Sequence, residues 1–183
     1  CDNRLIISDV ATRNKIKEYL AKVIREEFGM PELIAGVATA GIPLGMLVAD
    51  MFHLPFVYVR PEPKGHGKGN QIEGKIIPRQ KTVGVEDLIS TGGSSLKVIE
   101  ALRDADVTVL GMVSIFTYGF KNAEDAFENA NVKLLSLCDY NTLIEIARVD
   151  NYIKEEDVIL LQDWNKNPQA WSERFLNTQK HQS

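Results

Sequence analysis

Apolar residues at Ile16, Leu20, Val23, Ile24 and Phe28 recur at three- and four-residue spacing, which predicts a helix over 12–28 with Gly29 just past its end. Short apolar runs over 33–37 and 56–59 predict buried strands, with a helix over 42–50 between them. The same alternation resumes further on. Strands are predicted over 82–85, 107–116 and 132–135, and helices over 94–105, 123–130 and 140–149, with a short helix over 155–164. A polar tail over about 172–183 follows, and its last residues, 180–183, are expected to fray. Strands alternating with helices predict an α/β fold, a central parallel sheet flanked by helices, in a single domain over 1–183. There is no internal repeat and no low-complexity tract.

One stretch fits neither period. Residues 60–74 carry Gly65, Gly67, Gly69 and Gly74, two prolines, and the charged or polar Arg60, Glu62, Lys64, His66 and Lys68. No face of this stretch could pack as a regular element, so a mobile loop over about 60–74 is predicted. Loops of this length inside a small domain are usually functional.

Composition narrows the class without naming a chemistry. The 183 residues are 44% hydrophobic and 25% charged, the profile of a globular protein large enough to bury a core without staples. A net charge of −4, with Lys and Arg dispersed, argues against a general nucleic-acid binder. Two cysteines, Cys1 and Cys138, lie far apart with no metal-ligand spacing, which favours a reducing, cytoplasmic setting. No apolar run approaches the ~20 residues that span a bilayer. The chain opens on Cys1 rather than Met, so a longer natural protein is expected.

The stretch Val83-Gly84-Val85-Glu86-Asp87-Leu88-Ile89-Ser90-Thr91-Gly92-Gly93-Ser94 carries the candidate chemistry. An apolar strand ends in two adjacent acids, and a hydroxyl- and glycine-rich turn then opens a helix. Ligands of open parallel sheets bind at the carboxyl ends of strands. A Gly-rich turn entering a helix presents backbone N–H groups at the positive end of the helix dipole, a phosphate site. Gly92 and Gly93 remove side chains that would block close approach, and Ser90, Thr91, Ser94 and Ser95 add hydroxyls. Two carboxylates beside a phosphate make sense as acceptors for sugar hydroxyls, so the ligand should carry ribose and phosphate together. The plain alternative is a strand–turn–helix connection with Ser94 as the N-cap.

This stretch resembles the signature by which type I phosphoribosyltransferases bind 5-phosphoribosyl pyrophosphate (PRPP). The resemblance implies that Glu86 and Asp87 hold the ribose 2′- and 3′-hydroxyls. The turn over Leu88, Ile89, Ser90, Thr91, Gly92, Gly93 and Ser94 would wrap the 5′-phosphate. Arg60, Lys64 and His66-Gly67, followed by Ile72-Glu73-Gly74, are similar to the catalytic loop of the orotate phosphoribosyltransferase family. That similarity implies pyrophosphate contacts from Arg60, Lys64 and His66, with Lys64, His66 and Asp87 as catalytic residues. The charges could instead simply keep a solvated loop soluble. Thr39, Ala40 and Gly41, in the turn Gly36-Val37-Ala38-Thr39-Ala40-Gly41-Ile42-Pro43, stand where the family has its pyrophosphate loop. Cys1-Asp2-Asn3-Arg4 resembles the end of the family's small N-terminal hood, expected to be incomplete here.

Taken from Cys1 to about Trp171, the resemblance implies an orotate phosphoribosyltransferase. Such an enzyme joins orotate to PRPP, giving orotidine 5′-phosphate and pyrophosphate in pyrimidine nucleotide synthesis. It also implies Mg²⁺ bound through PRPP rather than by direct protein ligands, and a homodimer sharing the 60–74 loop between subunits. Partners would be the two small substrates, with no nucleic acid and no membrane. Ser90 is the expected orotate contact, with Arg4 as a second candidate. The chain departs from the family pattern at several places. It has Pro61 and Glu62 where many relatives carry lysines, and Ala40 where some carry Lys. It reads Phe116-Thr117-Tyr118-Gly119-Phe120 where some place an orotate-binding Arg. A phosphoribosyltransferase for another base, or a PRPP-sensing regulator, are the alternative readings.

Overall fold

In this computed structural model, which describes residues 2–63 and 71–180, the site follows from how one sheet is wound. Strands β1 (Leu33–Val37), β2 (Phe56–Val59), β3 (Ile72–Glu73), β4 (Lys81–Ile89), β5 (Thr108–Thr117) and β6 (Leu134–Asp139) lie in the order β3-β2-β1-β4-β5-β6. All neighbours are parallel except β2 and β3. Among the described residues seven helices accompany them: α1 (Val10–Phe28), α2 (Gly41–Phe52), α3 (Gly93–Asp104), α4 (Lys121–Asn129), α5 (Tyr140–Val149), α6 (Glu155–Lys166) and α7 (Pro168–Lys180). A 3₁₀ turn over Asn3–Ser8 precedes α1.

Successive residues of a strand face opposite sides, so each strand feeds two cores. Ile34 of β1 and Val83 and Val85 of β4 pack with Leu20 and Ile24 of α1, Leu44 and Val48 of α2, and Ile144 of α5. Leu33, Ala35 and Val37 face the other way, with Val98, Ile99 and Leu102 of α3 and Phe127 of α4. Helix α2 therefore covers one face on the way to β2, and α3 covers the other on the way to β5. Right-handed crossovers running in opposite directions produce this arrangement, and it opens a crevice between β1 and β4 where the winding reverses.

The predicted α/β order and single sheet are present, with four differences in extent, the first being β6, which spans Leu134–Asp139 where a strand over 132–135 is predicted. Strand β4 runs on through Glu86 and Asp87 to Ile89, because Glu86, Leu88 and Ile89 still pair with Ser114, Phe116 and Thr117 of β5. Within the stretch expected to hold no regular element, β3 pairs antiparallel with β2, Tyr58 opposite Glu73 and Val59 opposite Ile72. Helix α7 occupies most of the expected polar tail, reaching Lys180. Trp164 packs against Tyr118, Phe120 and Tyr140, the aromatic cluster that seats the C-terminal helices.

Candidate active site

At the carboxyl end of the sheet a cavity of about 650 Å³ opens over the β1–β4 crevice. It is lined by Asp2, Asn3 and Arg4, by the turn Ala38–Ala40, by Pro61, and by every residue from Glu86 to Ser95. Four segments apart in sequence thus meet at one place: the opening turn, the turn after β1, Pro61 just past β2, and the end of β4. On the β1 side the ladder with β4 stops at Gly36 opposite Val85. Beyond it the chain turns away at 38–40, and that gap is the floor of the cavity. The Ala38–Thr39 peptide is cis.

Small residues bring these parts together, though not in the way the sequence alone suggests. A methyl on Gly41 would come within 2.4 Å of the Val85 carbonyl oxygen, so Gly41 lets the start of α2 sit on β4. Gly41 is buried and does not line the cavity, whereas Thr39 and Ala40 do. The two turn glycines also divide their work. Gly92 has φ +79, and a methyl there would meet the Phe127 ring at 2.7 Å. It serves backbone conformation and packing against α4, not ligand approach. Gly93 has no protein atom within 4 Å of where its methyl would be, so Gly93 is the residue that keeps the cavity open.

The plain alternative of Ser94 as an N-cap is not what the helix uses: Gly92 is the N-cap, and no side chain accepts from the first turn of α3. The first turn of α2, after Ala40, is likewise uncapped. By contrast Asp9 accepts from Thr12 N at 2.7 Å at the start of α1, and Asp139 accepts from Thr142 N at 2.8 Å at the start of α5. Helix α4 also lacks a side-chain cap, so this is no rule of the fold. At the cavity its consequence is specific: two helix N-termini border the cavity with their orphan N–H groups unclaimed by a side-chain cap, the arrangement that attracts an anion.

The two acids are unlike each other. Glu86 is 7% exposed, while Asp87 is half-buried and open to the cavity. Burial first, and then the neighbouring Asp87 carboxyl, push Glu86 up from the ordinary 4.5 to about 8. It accepts from Asp87 N at 2.9 Å, and Ser95 Oγ donates to it at 3.4 Å. At neutral pH the Glu86 carboxyl is therefore held chiefly in its protonated, uncharged form. Charge repulsion toward phosphate is smaller than the sequence suggests, and Glu86 can donate a hydrogen bond as well as accept one.

Asn3 and Ser95 are the polar residues whose roles sequence reasoning missed. Asn3 is buried, and its Nδ2 donates to the Asp87 carbonyl at 2.8 Å, fastening the opening turn to the end of β4. Nothing in a lone asparagine near the start of a chain marks it for this. Ser95, read as one more hydroxyl facing phosphate, turns inward to Glu86 instead. Arg60 does not line the cavity. Its Nη2 donates to Tyr58 Oη and to Glu73 Oε1, both at 3.2 Å. Lys64 and His66 lie outside the described residues.

A ribose-and-phosphate cavity at this switch point agrees with what the chain resembles. The phosphoribosyl transferase domain family matches residues 9–150. Orotate phosphoribosyltransferase of Cytophaga hutchinsonii is 53% identical over 171 residues, which are 93% of this chain and 82% of that protein. The crystal structure of orotate phosphoribosyltransferase from Aeropyrum pernix superposes with a TM-score of 0.73 at 31% identity, over 79% of this chain and 80% of that one. Adenine phosphoribosyltransferase from Leishmania tarentolae gives a TM-score of 0.62 at 25% identity, over 77% and 76%. The fold is thus shared across bases, while the high identity lies with the orotate enzymes. This chain belongs to the phosphoribosyl transferase domain family, on its orotate phosphoribosyltransferase branch.

Proposed function

We propose that this protein is an orotate phosphoribosyltransferase that moves the ribose 5-phosphate group of PRPP onto orotate, releasing pyrophosphate and making orotidine 5′-phosphate for pyrimidine synthesis. The observation that carries this reading is the single cavity in which the acid pair, two uncapped helix starts and the opening turn meet. Its 5′-phosphate seat is the turn Ser90–Ser94 with the first N–H groups of α3. Asp87, with Glu86 behind it, takes the ribose hydroxyls. The turn over Thr39 and Ala40, at the uncapped start of α2, faces the pyrophosphate.

In the reaction the bond from the anomeric carbon to the pyrophosphate oxygen breaks, and a ring nitrogen of orotate forms the new bond from the opposite side. Positive charge builds on the ribose as pyrophosphate leaves with the bonding electrons. Catalysis is mainly alignment and stabilisation of the departing charge. Arg60, Lys64 and His66 supply that stabilisation, and Lys64 or His66 can hand a proton to the leaving group. The cavity lining includes hard oxygen donors, among them the Glu86 and Asp87 carboxyls and the hydroxyls of Ser90, Thr91 and Ser94, a set that fits Mg²⁺ held chiefly by PRPP itself. When bound, Mg²⁺ neutralises part of the pyrophosphate charge.

Ser90 and Arg4 are the proposed orotate contacts. Arg4 is the cation that lines the cavity among the described residues, and its guanidinium has no partner among them. An anionic base entering beside Asp2 and Asp87 needs such a charge. A homodimer that shares the 60–74 loop is in keeping with Arg60 sitting off this chain's own cavity. No helix among the described residues is long and apolar enough to cross a membrane, and a cytoplasmic setting is proposed with that.

The test is loss of orotate absorbance with PRPP and Mg²⁺, run beside uracil, adenine and hypoxanthine. Turnover of orotate alone is expected. Turnover of another base in its place, or of none despite PRPP binding, overturns the assignment.

A further inference from the structure

We propose that Glu73, together with Tyr58, is the positioning residue of the loop arginine: it holds the Arg60 guanidinium in place to receive the pyrophosphate of PRPP. Glu73 can matter in this way only if Arg60 meets the pyrophosphate, as proposed above.

The placement follows from strand geometry. Tyr58 and Glu73 are directly opposed across the antiparallel β2–β3 pair, so their side chains share a face. Arg60 lies two residues beyond Tyr58, and the period of two returns it to that same face. Its guanidinium lies over the Tyr58 ring, 5.4 Å from the centroid, while Nη2 donates to Tyr58 Oη and Glu73 Oε1. The backbone is fixed as well. Arg60 N donates to Gln71 O at 2.9 Å, and Gln71 Nε2 returns a bond to Arg60 O at 3.2 Å. Gly74 closes the stem with φ +117, where a methyl would come within 2.8 Å of Val57 Cγ1. Ile72-Glu73-Gly74 is thus the far side of a hairpin stem whose near side ends at Arg60.

Held this way, the guanidinium is not saturated. Arg60 Nε is buried and has no hydrogen-bond partner among the described residues. Pinning Nη2 on Tyr58 and Glu73 fixes the plane of the fork, so its Nη1 edge can meet an incoming oxyanion without first being ordered. The Arg60–Glu73 pair is about one-third exposed on each side, so solvent screens it and an anion of higher charge can compete for the fork.

The experiment is a double-mutant cycle on the full chain with Arg60→Ala, Glu73→Ala and the double variant, with Glu73→Gln beside them. PRPP affinity is read by calorimetry and by its KM. Glu73→Ala is expected to weaken PRPP about fivefold. Glu73→Gln, which keeps an acceptor oxygen, should stay within about twofold of wild type. In the Arg60→Ala background, Glu73→Ala should add nothing. Losses that multiply in the double variant, or a Glu73→Ala variant that binds PRPP as wild type does, overturn the proposal. A chain that turns over no base sinks the functional reading instead, and the calorimetric cycle still decides the role of Glu73.

Discussion

The end of β4 and the stem of the β2–β3 hairpin both present charged groups to the same proposed substrate, yet they are built in opposite ways. At β4 the polar groups stand on the core. Glu86 and Ser95 are buried, Asp87 is tied through its carbonyl to buried Asn3, and Gly92 is wedged against Phe127. At the hairpin the anchors are an ion pair about one-third exposed, one tyrosine ring and a few backbone bonds. On the proposed function, the first region holds ribose and phosphate in one fixed place while bonds change. On the same reading, the second grips a leaving group and then lets it go. Rigidity comes from burial, and release comes from partners that water can replace.

The sharpest way to break this comparison is at Asp87. Its side chain faces the cavity, while its structural bonds run through its backbone. Asp87→Asn should lower kcat/KM for PRPP about 100-fold, the loss of a charge-assisted bond to a sugar hydroxyl, and leave Tm nearly unmoved. Steady-state kinetics beside a thermal melt check both halves. A large fall in Tm would make Asp87 part of the scaffold instead.

The two turn glycines give the next largest effect. Gly92→Ala forces a methyl into the left-handed region and against Phe127, which should cost about 2–4 kcal/mol. Gly93→Ala meets no protein atom, so its stability should hold within about 0.5 kcal/mol while PRPP binding weakens. Denaturant melts and PRPP titrations on both variants separate the roles. Equal effects from the two would mean that the turn is one unit.

Glu86 should show itself through pH. Its folded pKa of about 8 lies above the ordinary 4.5, so folding favours its protonated form. That contribution is complete below about pH 4.5 and is lost as pH rises through 8. Glu86→Gln cannot ionise, so it should melt about 5 °C above wild type at pH 9 and close to it at pH 5. A constant difference across that range would show that Glu86 keeps an ordinary pKa.

Much of this architecture can be read from hydrophobic spacing, and the places where it cannot have physical causes. Residues 33–37, 56–59 and 140–149 pack as ordinary periodic elements and lie where their pattern predicts. Strand β4 looks to end before Glu86 because acids are rare in buried strands, and only the ladder to β5 carries it on. Two-residue β3 is too short to show a period. Asn3 acts through a backbone carbonyl 84 residues away, which no local pattern encodes. The acid pair and glycine turn are legible as a site, but their division of labour is not, because Gly92 and Gly93 differ only in what stands opposite them.

The smallest effect tests the other end of the comparison. Lys97, on the exposed side of α3, pairs with Glu62 just past the hairpin stem, and Pro61 beside it lines the cavity. The pair ties the loop's first arm to the helix that carries the phosphate turn, so it bridges the two regions. Both side chains are more than half exposed, however, and exposed pairs are screened by salt and offset by side-chain entropy. Lys97→Ala should therefore leave Tm within about 1 °C and move PRPP KM by less than about twofold at ordinary ionic strength. If kinetics at low salt instead show a tenfold change that vanishes at high salt, the bridge is a working part of the site. The hairpin stem would then depend on α3 for its position, and the contrast between a fixed wall and a yielding arm would have to be redrawn as one coupled unit.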